Sequence, residues 1–247
     1  MKAQEHILIH QDSGVLHLAI NRPEKKNALS SLMYAAMAKA LKDSVTDESI
    51  KVVLIHGTQE AFSAGNDLND FNNRDPNEPS PAATLLYELY NYPKPIVGAV
   101  SGVAVGIGVT MLLHFDLVYA SETYFKMPFV DLGVCPEGGS SLLIPQLAGH
   151  RKAAELLMLG DAFNTETAIN IGIVNQQIDK SEVFYFALSK AKALALKPQN
   201  ALRASKKLLK ASGQGILHDV IKNELVIFAQ LLQSEESIAA RTKKIRV

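Results

Sequence analysis

Apolar residues recur along the chain with two different periods, and these periods predict the order of secondary structure. Short apolar runs rich in β-branched residues, typical of buried strands, occur at 51–57, 95–102 and 116–122. Two further runs, at 6–10 and 15–21, flank the turn-forming sequence QDSG and predict a β-hairpin. The first half of the chain is therefore expected to supply the strands of a sheet.

Segments with helical spacing separate these strands. Ser30 or Ser31 can cap a helix, and prolines end the predicted helix at 83–91. A Gly-rich start predicts a further helix over 103–115. The expected buried face of the first helix consists of Leu32, Ala36, Leu41 and Val45. The alternation of strands and helices favours an α/β architecture.

The second half of the chain changes to mostly helical patterns. One helix is expected to end at Gly160, a typical C-terminal capping residue. Three more helices are predicted over 181–195, 198–212 and 215–240. This change marks a helical subdomain and not an independent fold.

Composition narrows the function classes. The chain has 247 residues and a formal net charge of zero, so nothing in its overall charge suggests nucleic acid or an anionic membrane as a partner. The histidines are scattered without metal-ligand spacing, so no metal site is expected. The single cysteine, Cys135, excludes an internal disulfide and is expected to pack in the interior rather than act as a nucleophile.

The terminal sequences and the length of the apolar runs indicate where in the cell the protein is expected. The N-terminal sequence is a poor signal peptide, and no run of eighteen apolar residues predicts a membrane span. The C-terminal residues KKIRV differ from a Ser-Lys-Leu peroxisomal address. A cytoplasmic protein is therefore expected.

Two glycine-containing turns follow buried strands. They are FSAGNDL at 62–68 and SGVAVGIGVT at 101–110. Glycines let backbone N–H groups approach a ligand, and N–H groups at a helix start are unpaired. Together, two such turns could bind a developing negative oxygen, although tight packing alone would also explain the glycines. Neither turn matches a nucleotide-binding glycine motif.

These residues carry a family resemblance. The segments 21–30, 62–68, 94–122 and 133–149 resemble the enoyl-CoA hydratase/isomerase (crotonase) family, in order and with family-like spacing. The resemblance implies a crotonase-like spiral of ββα units over 1–195. It also implies a helical C-terminal region over 196–247 that forms trimers or dimers of trimers.

The resemblance also implies a ligand and its contacts. The ligand would be an acyl-coenzyme A thioester, with coenzyme A part of the substrate and no separate cofactor. The N–H groups of Asn66 and Ile107 would bind the thioester oxygen, and the Ala64 carbonyl would face the adenine. Lys25 or Lys26 would meet the CoA phosphates, unless these lysines only form an exposed turn.

The carboxylates distinguish between reactions of the family. Two glutamates of the resembling hydratases correspond to Thr110 and Phe129 here, so efficient hydration is not expected. Glu137, in the sequence PEGGSS, instead resembles the base of peroxisomal-type Δ3,Δ2-enoyl-CoA isomerases of fatty-acid β-oxidation. Without the resemblance, Glu137 would more simply be an acid at a helix N-terminus. A weak hydratase, a thioester hydrolase and a non-catalytic acyl-CoA-binding protein are the alternatives.

Overall fold

A computed structural model describes residues 6–69, 80–211 and 214–242. Its strands are β1 (Ile7–Asp12), β2 (Val15–Ile20), β3 (Val52–His56), β4 (Ile96–Val105), β5 (Leu117–Lys126) and β6 (Gln176–Gln177). Its α-helices are α1 (Ser31–Thr46), α2 (Pro81–Asn91), α3 (Ile107–Thr110), α4 (Ser140–Ala154), α5 (Thr165–Asn170), α6 (Val183–Ala195), α7 (Gln199–Ala211), α8 (Gln214–Leu232) and α9 (Glu235–Thr242). The sequence DPNEPSPA at 75–82 predicts a flexible or turning connection, and most of it lies outside the described residues.

The strands form one mixed sheet in chain order, β1 to β6. The β1–β2 pair is antiparallel, as the hairpin pattern predicts, and each later strand pairs in parallel with the one before it. Strand β3 is buried along nearly its whole length because helices and loops cover both faces of the sheet. The parallel order places the ends of β3 and β4, with the two glycine turns that follow them, side by side.

The predicted helix at 103–115 begins too early. Residues 103–105 continue β4, because Val103 pairs with Tyr124 and Val105 pairs with Lys126 of β5. The helix begins only after Gly106, and one short α-helix, α3, is followed by a 3-10 turn over Met111–His114. The apolar, β-branched residues before Gly106 therefore follow their strand propensity.

Two other helix predictions are corrected in detail. Leu32 is 63% exposed, whereas Leu41 is buried as predicted, and Ala36 and Val45 pack partly buried against the core. The buried face of α1 consists of Met33, Tyr34, Met37, Ala38, Leu41 and Ser44. The predicted helix at 215–240 is two helices, α8 and α9, because the chain breaks at 233–234. Ser234 then accepts the N–H of Ser237 and caps α9.

The helical C-terminal region is attached to the α/β part by buried polar contacts. Lys206 of α7 donates to Asp116 over 2.7 Å and to the carbonyl of Lys94 over 2.6 Å. Ser237 of α9 donates to the carbonyl of Leu132 over 2.9 Å. Such bonds fix α7 and α9 against the elements that carry the candidate site. No helix in the described ranges is both long and apolar enough to cross a membrane.

Candidate active site

The two glycine turns interlock. Ser63 forms a parallel bridge with Ala104, which joins the first turn to the end of β4. A Cβ atom on Gly65 would lie 2.8 Å from the Val105 carbonyl oxygen, and one on Gly108 would lie 2.7 Å from the Ser63 carbonyl oxygen. Any side chain at these two positions would therefore force the turns apart.

The interlocked turns present unpaired backbone donors. The backbone of Leu29 bonds to the residues on either side of Asn66: the Leu29 N–H donates to the Gly65 carbonyl, and the Asp67 N–H donates to the Leu29 carbonyl. In this parallel pairing, the N–H of Asn66 itself is directed away from Leu29. The N–H of Ile107 lies at the start of α3, where helix geometry provides no internal acceptor. Among the described residues, neither N–H donates a hydrogen bond. The two N–H groups that the family resemblance implies as donors are therefore unpaired within the described part of the chain.

Glu137 lies in the turn that leads into α4. Gly138 and Gly139 follow it with φ angles of 70° and 78°, a left-handed conformation that glycine adopts without strain. The Glu137 side chain is only 7% exposed, and Thr110 Oγ1 donates to its Oε1 over 2.5 Å. The turn thus directs this carboxyl inward, onto the last residue of α3.

The environment of Glu137 favours its protonated form. Burial is the main cause and raises the pKa of Glu137 to about 7. The hydrogen bond from Thr110 opposes this rise, and the nearby carboxyl of Glu224 adds to it. A carboxyl with this pKa can both take up and release a proton near neutral pH.

A different acid occupies the N-terminus of α4. The carboxyl of Glu224, on α8, accepts the N–H groups of Gly139 and Ser141. The helix N-terminal role that would otherwise suit Glu137 is therefore taken by Glu224. Sequence reasoning missed Glu224, and its only signal was one acid followed by the apolar run LVIF.

His114 holds the same turn from its other side. Its Nε2 donates to the Gly138 carbonyl oxygen over 2.8 Å, and the side chain is 2% exposed. Burial lowers the pKa of His114 to about 4, and the charge of Lys210 contributes to the lowering. His114 is therefore neutral near neutral pH and packs behind the turn.

A cavity of about 840 Å³ opens in front of Glu137. Asn66 and Glu137 both line it, and α2, α8 and α9 provide most of the remaining wall. Its apolar lining includes Leu29, Tyr87, Leu225, Phe228, Ala229, Leu232 and Ile238. Its size and apolar walls with a few polar groups are typical of a small-molecule site.

A second carboxylate, that of Asp67, also lines the cavity. Its Oδ2 accepts from Arg22 Nη1 over 2.6 Å, and its Oδ1 accepts the N–H of Asn69. Asp67 thus braces its loop by a backbone hydrogen bond, and an ion pair to Arg22 holds it as well. Glu137 is the better candidate for proton transfer because it has no cationic partner in the described part of the chain.

The remaining candidate residues, Ala64, Lys25, Lys26 and Ile107, are not among those that line the cavity. Ala64 donates its N–H to the Lys26 carbonyl oxygen over 2.9 Å, which places the 21–30 turn against the first glycine turn. Lys25 and Lys26 are exposed, and Ile107 is 2% exposed. The structure therefore groups Ala64 with the lysine turn, and Asn66 with Glu137.

Comparison with known proteins finds relatives over most of the chain. A sequence model described as enoyl-CoA hydratase/isomerase matches residues 10–244. The chain is 36% identical to enoyl-CoA delta isomerase 2 of Rattus norvegicus over 97% of the chain and 63% of that protein. It is also 36% identical to 1,2-epoxyphenylacetyl-CoA isomerase of Escherichia coli K12, over 84% of the chain and 83% of that protein.

A solved structure extends the likeness to the whole fold. OdaA of Pseudomonas aeruginosa superimposes with a TM-score of 0.95 at 41% identity, covering 98% of this chain and all of that one. The predicted α/β spiral with a helical C-terminal region is thereby confirmed. The chain spans about three fifths of the length of the rat isomerase that it matches.

Proposed function

The chain belongs to the enoyl-CoA hydratase/isomerase family, and from this premise we propose that it is a Δ3,Δ2-enoyl-CoA isomerase. The observation that carries the proposal is the buried carboxyl of Glu137, which shares a cavity with Asn66. Thr110 and Phe129 stand where the resembling hydratases have their two glutamates. One carboxyl suffices for a proton shuttle, whereas hydration needs one group to activate water and another to protonate carbon.

The proposed reaction begins with proton removal. A 3-enoyl thioester has acidic C2 protons because the resulting dienolate delocalises into the thioester oxygen. The carboxylate of Glu137 takes one C2 proton, and the electron pair moves onto that oxygen. The N–H groups of Asn66 and Ile107 bind the enolate oxygen as its charge develops.

The same group completes the reaction. The protonated Glu137 returns its proton to C4, and the double bond moves into conjugation between C2 and C3. One such backbone donor is worth about 3 kcal/mol of transition-state stabilisation, and a placed base adds about 10²–10⁴ in rate. The substrate brings its own coenzyme A, so this scheme uses no further cofactor.

The proposal also covers how the substrate is held and how the protein assembles. The Ala64 carbonyl faces the adenine, and Lys25 or Lys26 meets the CoA phosphates. Residues 196–247 join copies of the chain into a trimer or a dimer of trimers. The setting is fatty-acid β-oxidation in the cytoplasm.

The decisive experiment is a spectrophotometric isomerase assay. Purified protein is given 3-enoyl-CoA thioesters of several chain lengths, and the rise in conjugated-thioester absorbance is followed. The wild type converts them, and Glu137→Gln lowers kcat at least about a hundredfold with little change in KM. The exposed substitution Glu122→Gln serves as the matched control and keeps the wild-type rate. An unaffected rate in Glu137→Gln would exclude Glu137 as the base.

A second candidate is isomerisation of an aromatic epoxide thioester. It is favoured by the Escherichia coli relative, whose name is 1,2-epoxyphenylacetyl-CoA isomerase and which matches over most of both chains. The same preparation assayed with that thioester decides between the two. Turnover of the epoxide with none of any 3-enoyl-CoA would replace the first proposal.

A further inference from the structure

The turn that carries Glu137 is bonded to an acid from the C-terminal helical region. Glu224 Oε2 accepts the N–H of Gly139 over 2.6 Å. Its Oε1 accepts the N–H of Ser141 over 3.0 Å and the Ser141 hydroxyl over 2.5 Å. At 5% exposure, Glu224 is shielded from water, so these three donors account for much of its stabilisation.

Helix α8 packs closely enough to fix this arrangement. A Cβ atom on Gly139 would lie 2.4 Å from Leu217 Cδ1 and 3.3 Å from Ile221 Cγ1, so a side chain here would have to displace Leu217 of α8. The Cys135 thiol also donates to the backbone carbonyl of Glu224, over 3.6 Å. The segment around Glu137 is thus attached to α8 at points before and after the glutamate.

The N-terminus of α4 would otherwise compete for Glu137. Its N–H groups are unpaired within the helix and attract the nearest carboxylate. Glu137 lies only two residues before Gly139, and with no other acceptor its side chain could turn back onto them. Glu224 satisfies those donors, so the Glu137 carboxyl remains in the cavity wall with Thr110 as its partner.

We propose that Glu224 is a positioning residue for proton transfer by Glu137: it holds the N-terminal N–H groups of α4 and thereby keeps the Glu137 carboxyl directed at the substrate. This inference rests on the proposed isomerase function. It assigns the C-terminal helical region a direct part in arranging the active site, because α8 supplies the acid.

Few titratable groups surround the pair. Burial raises the pKa of Cys135 to about 11, and His114, behind Gly138, has a pKa of about 4. Lys210 of α7 donates to the His114 carbonyl, and Asp67, Lys222 and Arg241 line the same cavity as Glu137. Glu137 is therefore the group whose titration near neutral pH reports on Glu224.

The test compares Glu224→Gln with Asp219→Asn, which removes a carboxylate from the exposed face of the same helix. Glu224→Gln is expected to lower kcat about 10–100-fold with KM within about twofold, as a misplaced catalytic group does. The acid limb of the rate profile should also move to lower pH. Without Glu224, Glu137 no longer has a like charge nearby, and its carboxylate can accept the helix N–H groups. Both changes favour the ionised form of Glu137. Asp219→Asn should change neither quantity.

A direct titration separates this inference from the proposed function. The Glu137 carboxyl is followed by carbon-13 NMR in wild type and variants, with Glu137→Gln identifying its signal. A lower midpoint in Glu224→Gln supports the positioning role even if no 3-enoyl-CoA is turned over, in which case only the isomerase proposal fails. An unchanged midpoint together with an unchanged kcat would overturn the role of Glu224.

If Glu224→Gln does not fold, a milder variant can be tested in its place. Ser141→Ala removes only the hydroxyl donor to Glu224 and leaves both N–H groups in place. It should lower kcat about two- to fivefold and move the Glu137 midpoint in the same direction. Wild-type kcat and midpoint in a folded Ser141→Ala protein would contradict the inference.

Discussion

Thr110 Oγ1 donates a hydrogen bond to Glu137 Oε1 across 2.5 Å and joins α3 to the turn before α4. The family resemblance aligns Thr110 with a hydratase glutamate, and Glu137 is the residue proposed as the isomerase base, so the positions of the two alternative chemistries are in contact. Because residue 110 is a threonine, this contact contains one carboxyl group, that of Glu137. The Thr110 hydroxyl modifies the proton affinity of that carboxyl and does not supply a second acid.

The pH dependence of the reaction should report the ionisation of Glu137. Its pKa is raised to about 7, mainly by burial, and the base must be ionised to take the C2 proton. We expect kcat/KM for 3-enoyl-CoA to be constant above this pH and to fall about tenfold per pH unit below it. Initial rates measured over about pH 5–9 check this, and a limb centred near the ordinary pKa of a glutamate would contradict it.

Thr110→Val should move that limb to higher pH. The valine removes the hydrogen bond that stabilises the ionised Glu137 and keeps the volume of the side chain, so the pKa of Glu137 rises further. At about pH 7, we expect kcat/KM to fall roughly two- to fivefold because less of the base is ionised. Thr110→Ser retains the hydroxyl and should keep the wild-type profile. An equal shift of the pH profile in both variants would show that altered packing, and not loss of the hydroxyl, causes the effect.

Hydration of crotonyl-CoA should be very slow. Thr110 has no basicity near neutral pH and Phe129 has none at all. The two groups that hydration requires, one to activate water and one to protonate carbon, are therefore missing at these positions. We expect a rate at least about a hundredfold below isomerisation of 3-enoyl-CoA, measured as the loss of conjugated-thioester absorbance. Rapid hydration in the same preparation would refute the carboxylate argument.

His114 should make folding stability fall in acid. Its folded-state pKa is about 4 against an ordinary value of 6.5, so between these pH values the unfolded chain binds a proton that the folded chain does not. The stability that neutral His114 contributes is present above pH 6.5 and is lost as pH falls toward 4. A pKa difference of this size changes the free energy of unfolding by roughly 3 kcal/mol.

The effect is measured by urea unfolding at several pH values. His114→Gln keeps a donor for the Gly138 carbonyl but does not titrate, so its stability should fall less steeply between about pH 6.5 and 4. The exposed substitution His150→Gln should retain the wild-type slope. Equal slopes in all three proteins would show that His114 does not cause the loss.

The sequence by itself determined the features that depend on neighbouring residues. The hairpin, the buried strands, a serine cap at position 30 or 31 and the glycine cap at Gly160 follow from local periodicity and backbone preference, and the structure contains them, with Ser30 as the serine cap. The paired glycines after Glu137 likewise permit the turn there, because glycine adopts two successive left-handed conformations at little cost. The order of motifs also sufficed to identify the family.

Tertiary structure decided the features that depend on distant residues. Pairing with β5 made residues 103–105 a strand, and packing turned Leu32 outward from α1. Glu224 meets Gly139 across 85 positions of the chain, and Thr110 meets Glu137 across 27. No local pattern specifies such contacts, because they arise only when whole elements pack. That packing leaves Glu137 buried in the cavity wall and makes Glu224 the acid that caps α4.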